Sequence, residues 1–207
     1  MLLYVHVPFC VRKCGYCAFH SGPFSREAAA FYMRHVLREM ADWGEILGRV
    51  PVESVYFGGG TPSLLEPGQI GALLDAAGTC FTLSADAEIT LEANPDSVLR
   101  PGFLDSVRGL GVNRLSLGVQ SLQDDLLAML GRPHDGRQAR LAVQAARAAG
   151  FSNLSLDLIW GLPGQTHGRW MNDLAEAVEL SPEHLSCYGL SLEDNSTAAA
   201  RSFIQRS

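Results

Sequence analysis

The sequence predicts an α/β protein in which parallel strands form an incomplete (β/α)6 barrel. Short apolar runs alternate with segments of helical periodicity along the chain, which is the pattern of repeated βα units. The strand candidates are almost entirely apolar, as expected for parallel strands covered by crossover helices. A complete barrel of eight units usually needs about 250 residues. The 207 residues of this chain therefore favour six units in a partial barrel or an open, curved sheet.

Six β-rich runs supply the strands, and each is followed by a segment with helical spacing of apolar residues. The runs are Leu2–Val7, Ser54–Phe57, Glu88–Leu91, Arg114–Gly118, Leu154–Ile159 and His184–Leu190. Their order along the chain predicts a sheet whose outer side is covered by the intervening helices.

The helices are predicted from apolar stripes that end at Gly or Pro. Ser25 is a good N-cap for the first helix, whose stripe is Ala29, Tyr32, Met33, Val36, Met40, Trp43 and Leu47. Further stripes are centred on Ile70–Ala77, Phe103–Leu110 and Leu122–Leu130, and two more helices are expected over Asp135–Gly150 and Thr166–Leu180.

Composition predicts one domain over residues 1–193, followed by a terminal tail or the start of a further region over 194–207. Apolar residues make up 47% of the chain and charged residues 18%, and the net charge of −6 argues against nucleic acid or anionic lipid as a partner. Because the sequence has neither an apolar run of about 20 residues nor the pattern of a secretory signal, we expect no membrane span and a cytoplasmic location.

Three of the five cysteines crowd into eight residues directly after the first strand, at Cys10, Cys14 and Cys17. A secreted disulfide framework would spread an even number of cysteines along the chain. Loops after the strands of a parallel α/β scaffold carry functional groups. The crowding therefore indicates metal ligation or redox chemistry.

Other interpretations of these cysteines remain open at this point. A zinc site needs four ligands as a rule, and His6 or His20 could supply the fourth. A thioredoxin-type pair of Cys14 and Cys17 would require a helix to begin at the motif, whereas the helix signal waits until Ser25. Burial of all three as core residues conflicts with their polar, turn-prone loop. By contrast, Cys80 and Cys187 lie in apolar surroundings and are expected in the core.

Glycine and polar residues stand at the carboxyl ends of the other strands. Gly58–Thr61 closes the second strand, where glycines let the backbone approach a ligand. Glu92, Gln120 and Asp157 are polar side chains at the ends of three otherwise apolar strands. Such positions are typical of ligand contacts in parallel barrels.

The cysteine spacing C-x3-C-x2-C, with Tyr16 before the third cysteine, resembles the signature of the radical-SAM superfamily. Further segments follow in order and together resemble the oxygen-independent coproporphyrinogen III oxidase family, including its heme-chaperone branch. They are Tyr4–Cys10 (YVHVPFC), Phe57–Pro62 (FGGGTP), Leu91–Pro95 (LEANP), Arg114–Gln120 (RLSLGVQ) and Asp157–Pro163 (DLIWGLP). The resemblance extends from about Tyr4 to about Glu193, nearly the whole chain.

The resemblance implies a radical-SAM barrel that holds a [4Fe-4S] cluster on Cys10, Cys14 and Cys17. Three ligands leave one iron open for S-adenosylmethionine, and one electron from the reduced cluster then cleaves that molecule to methionine and a 5′-deoxyadenosyl radical. The implied contacts of S-adenosylmethionine are Tyr4, Tyr16, Gly59, Gly60, Thr61, Glu92, Gln120, Arg132 and Asp157. Arg132 suits its carboxylate because a guanidinium can donate two parallel hydrogen bonds.

Two features favour the heme-chaperone branch over the oxidase. Phe19 stands where the oxidase has a fourth cysteine, and the oxidase has a long segment before its first ligand, which here is residue 10. The implied partners are heme or a porphyrinogen, an electron-donor protein and a heme-acceptor protein. Family members also carry a C-terminal domain that we expect this chain to lack. His6, His20, His35 and His184 could ligate heme in principle, but structural or solvated roles are expected for them.

Overall fold

The computed structural model describes residues 1–191, so residues 192–193 and the predicted tail 194–207 lie outside the described part. Its main sheet contains six parallel strands in the order β1-β4-β5-β6-β7-β8, and β2 pairs separately with β3. The strands are β1 Leu2–Val7, β2 Phe9–Cys10, β3 Gly22–Pro23, β4 Pro51–Gly59, β5 Thr82–Ala93, β6 Arg114–Gln120, β7 Leu154–Trp160 and β8 His184–Gly189. The predicted six-stranded parallel α/β barrel is confirmed.

All six predicted strands are present, but β5 is much longer than its apolar signal. It begins at Thr82, and its first half pairs with the start of β4 through Pro51↔Thr82 and Val52↔Leu83 before the register shifts. This part is rich in small and polar residues, so apolar patterning could not reveal it. Strands β2 and β3 were not predicted either, because two residues carry no periodic signal.

Six of the seven α-helices within residues 1–191 follow the predicted stripes, and the short helix Pro95–Val98 was not predicted. They are α1 Arg26–Leu47, α2 Pro67–Cys80, α3 Pro95–Val98, α4 Phe103–Gly109, α5 Asp124–Leu130, α6 Gly136–Ala148 and α7 His167–Glu179, and a 3-10 turn spans Pro62–Leu64. Ser25 caps α1, since its side chain accepts a hydrogen bond from the amide of Ala28. None of the helices in this part of the chain is long and apolar enough to cross a membrane.

The end of the α1 stripe was predicted wrongly. Ala29, Met33 and Met40 are buried, but Trp43 and Leu47 are 49% and 44% exposed. Gly44 is the residue that meets α2, because a Cβ placed on it would lie 2.7 Å from Cβ of Cys80. The last turns of α1 therefore contact α2 through a glycine, and the two large side chains beside it face solvent.

The sheet separates an apolar outer face from a polar inner face. Outward side chains such as Val55, Leu91 and Leu156 are buried in the core beneath the helices. Their neighbours along the same strands alternate inward, where Tyr56 donates a hydrogen bond to Glu92. The fold thus leaves the inner face available for ligands without interrupting the core.

The two isolated cysteines differ in burial. Cys80 is partly buried and packs against the core, but Cys187 is exposed, so the expectation of a core position is wrong for Cys187. It lies on β8, the last strand in the sheet order, which pairs only with β7 among the described strands. A terminal strand gives its side chains neighbours on one side only.

Candidate functional site

A cavity of about 340 Å³ opens at the carboxyl ends of the strands. It is lined by all of the predicted site residues except Tyr4: Cys10, Cys14, Cys17, Tyr16, Gly59, Gly60, Thr61, Glu92, Gln120, Arg132 and Asp157. These residues come from six separate segments of the chain. The parallel topology alone brings them to one end of the barrel.

The cysteine loop is closed at its base by backbone pairing. Phe9 and Cys10 pair with Gly22 and Pro23, the amide of Gly22 donates to the carbonyl of Pro8 at 2.9 Å, and the amide of Phe24 donates to the carbonyl of Cys10 at 3.0 Å. The loop between these strands is therefore anchored at both ends while its interior lines the cavity.

All three loop cysteines are free thiols, and Cys14 is buried. Arg132 donates toward Sγ of Cys14 at 3.6 Å, and Thr61 donates toward Sγ of Cys10 at 3.7 Å. Burial raises the pKa of the Cys17 thiol, and the other two thiols add to the rise. Across residues 1–191, no three His, Cys, Asp or Glu side chains are gathered so that they could hold one metal ion.

His6, the suggested fourth zinc ligand, makes contacts within the protein through both ring nitrogens. Its Nε2 lies 2.9 Å from the carbonyl of His20, and its Nδ1 lies 3.3 Å from the hydroxyl of Tyr4. The His6 ring also fills the space beside Gly59, where an added Cβ would come within 2.6 Å of it. These contacts give His6 a structural role at the end of β1.

The glycine segment after β4 brings backbone close to the cysteine loop. Gly59 has φ 111°, a backbone conformation that residues other than glycine rarely adopt. The amide of Gly60 donates to the carbonyl of Val7 at 2.9 Å, and the amide of Thr61 donates to the carbonyl of Phe9 at 2.7 Å. The segment therefore fixes the strand that carries Cys10.

Two partly buried carboxyl groups line the cavity, Glu92 from β5 and Asp157 from β7. Glu92 accepts hydrogen bonds from Tyr56 at 2.8 Å and from the amide of Gly59 at 3.1 Å, yet burial raises its pKa. Burial likewise raises the pKa of Asp157 to about 6, although hydrogen bonds from Ser186 and Ser116 oppose the shift. Both groups are acceptors suited to hydroxyl or ammonium groups of a ligand.

Arg132 is held between the cysteine loop and the sheet. One terminal nitrogen of its guanidinium donates to Asn94 at 2.5 Å and to the carbonyl of Gly118 at 2.9 Å, while the buried Nε has no hydrogen-bond partner among residues 1–191. Burial alone would lower the pKa of the guanidinium, but Tyr16 and Cys14 outweigh it and the pKa is raised. A buried cationic donor without a partner is costly and fits an anionic ligand such as a carboxylate.

Gln120 occupies a strained position at the end of β6. Its φ is 68°, a region that costs non-glycine residues about 1–3 kcal/mol. The preceding carbonyl, of Val119, lies 3.1 Å from Nε2 of the buried His134, and burial lowers the pKa of His134 to about 4. A neutral His134 thus supports the turn that presents Gln120 to the cavity.

Tyr4 does not line the cavity. Three residues in or beside the cavity, namely Tyr56, Asn94 and Ser116, were not predicted as site residues. The Tyr4 ring stacks on Tyr56 at 6.0 Å between centroids. Tyr56 donates a hydrogen bond to Glu92. Asn94 and Ser116 line the cavity. Asn94 accepts a hydrogen bond from Arg132, and Ser116 donates one to Asp157. A polar residue at the end of an apolar strand was the available signal for Asn94.

Asp157→Asn should stabilise the protein at pH 8 but not at pH 4. The raised pKa of Asp157 means that its contribution to stability is full below about pH 4 and is lost as the pH rises through about 6. A pKa of about 6 in place of the ordinary 3.8 corresponds to about 2–3 kcal/mol. Urea unfolding of the metal-free protein at both pH values measures the difference.

Asp86→Asn is the control, because Asp86 is an exposed aspartate of β5 and the substitution removes the same charge. It should leave the free energy of unfolding nearly unchanged at both pH values. An equal effect of Asp157→Asn at pH 4 and pH 8 would show that ionisation of this carboxyl group carries no cost in the folded state.

Comparison with known proteins agrees with this geometry. Residues 4–177 match the radical SAM superfamily. The chain is 42% identical over 201 residues to the heme chaperone HemW of Escherichia coli (strain K12), covering 96% of this chain and 53% of that protein. It is 41% identical to the mitochondrial radical S-adenosyl methionine domain-containing protein 1 of Bos taurus, covering 94% of this chain and 44% of that protein.

The fold is also similar to that of a solved structure, coproporphyrinogen III oxidase (HemN) from Escherichia coli, which is a radical SAM enzyme. The TM-score is 0.84 at 32% identity, over 97% of this chain and 46% of the oxidase. This chain spans about half the length of the relatives that it matches. The superfamily match covers most of the chain, and the chain belongs to the radical SAM superfamily.

Proposed function

We propose that this chain binds a [4Fe-4S] cluster on Cys10, Cys14 and Cys17 and cleaves S-adenosylmethionine reductively. The observation that carries the proposal is the meeting of three free thiols with Arg132 in one cavity. When bound, a three-thiolate cubane supplies an electron and an open iron position for a ligand. The residues present fit this group, because the sulfurs of Cys10 and Cys14 each face a hydrogen-bond donor.

The chain's own side chains bind and orient S-adenosylmethionine in this proposal. Arg132, which lines the cavity, donates to its carboxylate, and the carboxylates of Glu92 and Asp157 accept hydrogen bonds from its hydroxyl or amino groups. Gly59, Gly60 and Thr61 admit it close to the backbone, Gln120 contacts it from β6, and Tyr16 covers one side. Tyr4 acts indirectly, because its ring packs beside Tyr56 rather than in the cavity.

For the longer protein that the relatives represent, we propose a heme-chaperone-like role in the cytoplasm. HemW is named as a heme chaperone, and Phe19 occupies the position of a fourth cysteine in the oxidase pattern. Heme is the proposed cargo, with an electron-donor protein and a heme-acceptor protein as partners. The alternative is oxidative decarboxylation of coproporphyrinogen III, which the similarity to the HemN oxidase favours.

Anaerobic reconstitution followed by incubation with dithionite and S-adenosylmethionine tests the proposed chemistry. We expect a brown protein containing iron and labile sulfide, and formation of methionine and 5′-deoxyadenosine. A colourless protein with one zinc ion would refute the proposal. Coproporphyrinogen III then separates the two roles, since formation of protoporphyrinogen IX would establish the oxidase activity and overturn the chaperone role.

A further inference from the structure

A continuous series of hydrogen bonds joins two of the three cysteines across the cavity. The Thr61 hydroxyl donates toward Sγ of Cys10 at 3.7 Å, and Nδ2 of Asn94 donates to Oγ1 of Thr61 at 3.3 Å. On the other side, Arg132 donates to Oδ1 of Asn94 at 2.5 Å and toward Sγ of Cys14 at 3.6 Å. Asn94 stands at the centre and uses both ends of its amide.

The direction of every hydrogen bond in this series is fixed by chemistry. Arginine can only donate, so the amide oxygen of Asn94 must face Arg132 and the amide nitrogen must face Thr61. Thr61 then accepts from Asn94, and its own proton is directed to Cys10. Both ends of the series therefore present a donor to sulfur, which suits thiolates that carry negative charge.

The surrounding backbone holds Asn94 in place. It is the N-cap residue of α3, and its amide donates to Oγ of Ser97 at 3.2 Å. A Cβ on Gly118 would lie 3.4 Å from both Oδ1 of Asn94 and a terminal nitrogen of Arg132. Gly118 of β6 therefore borders the contact between Asn94 and Arg132.

We propose that Asn94 is a positioning residue that aims Thr61 and Arg132 at the sulfurs of Cys10 and Cys14 and thereby raises the reduction potential of the iron–sulfur cluster. The proposal rests on the cluster ligation proposed above. Reduction adds a negative charge that spreads over the thiolate ligands. Hydrogen bonds and a nearby cation stabilise the reduced state more than the oxidised one, and hydrogen bonds to sulfur are among the factors that set cluster potentials.

A redox titration followed by electron paramagnetic resonance tests this role with Asn94→Ala in the reconstituted chain. The equilibrium constant for reduction should fall about tenfold, which corresponds to a potential about 59 mV lower for one electron. Asn153→Ala is the matched control, because Asn153 lies before β7 at the opposite end of the barrel and its side chain contacts Glu88. It should keep the wild-type potential and iron content.

Thr61→Val is the second variant, since it preserves the shape of the side chain and removes the hydroxyl that donates toward Cys10 and accepts from Asn94. The reduction potential of Thr61→Val should also fall, by less than that of Asn94→Ala. If Asn94→Ala does not retain iron, the potential of Thr61→Val tests the proposal instead. Wild-type potentials in Asn94→Ala and Thr61→Val, or loss of iron from Thr61→Val, would overturn the role of Asn94. Absence of a [4Fe-4S] cluster from the wild-type chain would instead refute the proposed function.

Discussion

Cys14→Ser should abolish retention of the iron–sulfur cluster, whereas Cys80→Ser should retain it. Cys14 is the buried thiol of the loop and faces Arg132, and a serine hydroxyl is a poor substitute for a thiolate toward iron. Cys80 ends α2 and packs against the outer core, on the side of the sheet away from the cavity. Iron and labile sulfide after anaerobic reconstitution measure the difference.

Both variants lose one thiol, so a general effect of thiol number on reconstitution cancels between them. We expect iron near background for Cys14→Ser and close to wild type for Cys80→Ser. Circular dichroism of both metal-free variants checks that the fold is intact. Equal iron content in the two proteins would contradict the assignment of the loop cysteines as ligands.

Gly60→Ala should strongly destabilise the protein. A Cβ at residue 60 would lie 2.5 Å from the carbonyl oxygen and 2.8 Å from the amide nitrogen of Phe9. This obstacle is backbone held by pairing with β3, so it cannot move aside as a flexible side chain could. Overpacking of this kind costs about 1–3 kcal/mol, and we expect a loss near the upper end in urea unfolding.

Gly68→Ala is the matched control for this substitution. Gly68 lies in the first turn of α2, and a Cβ there would meet nothing within 4 Å. Replacing a helical glycine by alanine is worth about 0.5–1 kcal/mol in favour of alanine, so this variant should be as stable as wild type or slightly more stable. Similar destabilisation of both variants would rule out the steric explanation.

The positions of the strands could be predicted from the local pattern of apolar residues. Most of the cavity lining could then be predicted from the parallel order of those strands. An apolar run marks a buried parallel strand, and residues just after such runs must meet at one end of the sheet. Glu92, Gln120 and Asp157 satisfy this rule and line the cavity. Tyr4 lies within β1 and was assigned to the site by the resemblance alone, and it does not line the cavity.

Other features depended on contacts between distant segments. Trp43 continues the α1 stripe, yet it is exposed because Gly44 makes the contact with Cys80. Asn94 links Thr61 with Arg132, which is 38 residues farther along the chain. Helical spacing and residue type carry no information about such pairings, so only the assembled structure could reveal them.

The separation of the apolar outer face from the polar inner face has a consequence for how proteins of this architecture can diverge. The side chains that keep the molecule folded and those that meet a ligand are carried by the same strands but alternate between opposite surfaces. A substitution of Asp157 itself can therefore alter what is recognised while the packing around Leu156 is left as it was. Recognition in this architecture can therefore change at the inner face while the apolar outer face stays intact.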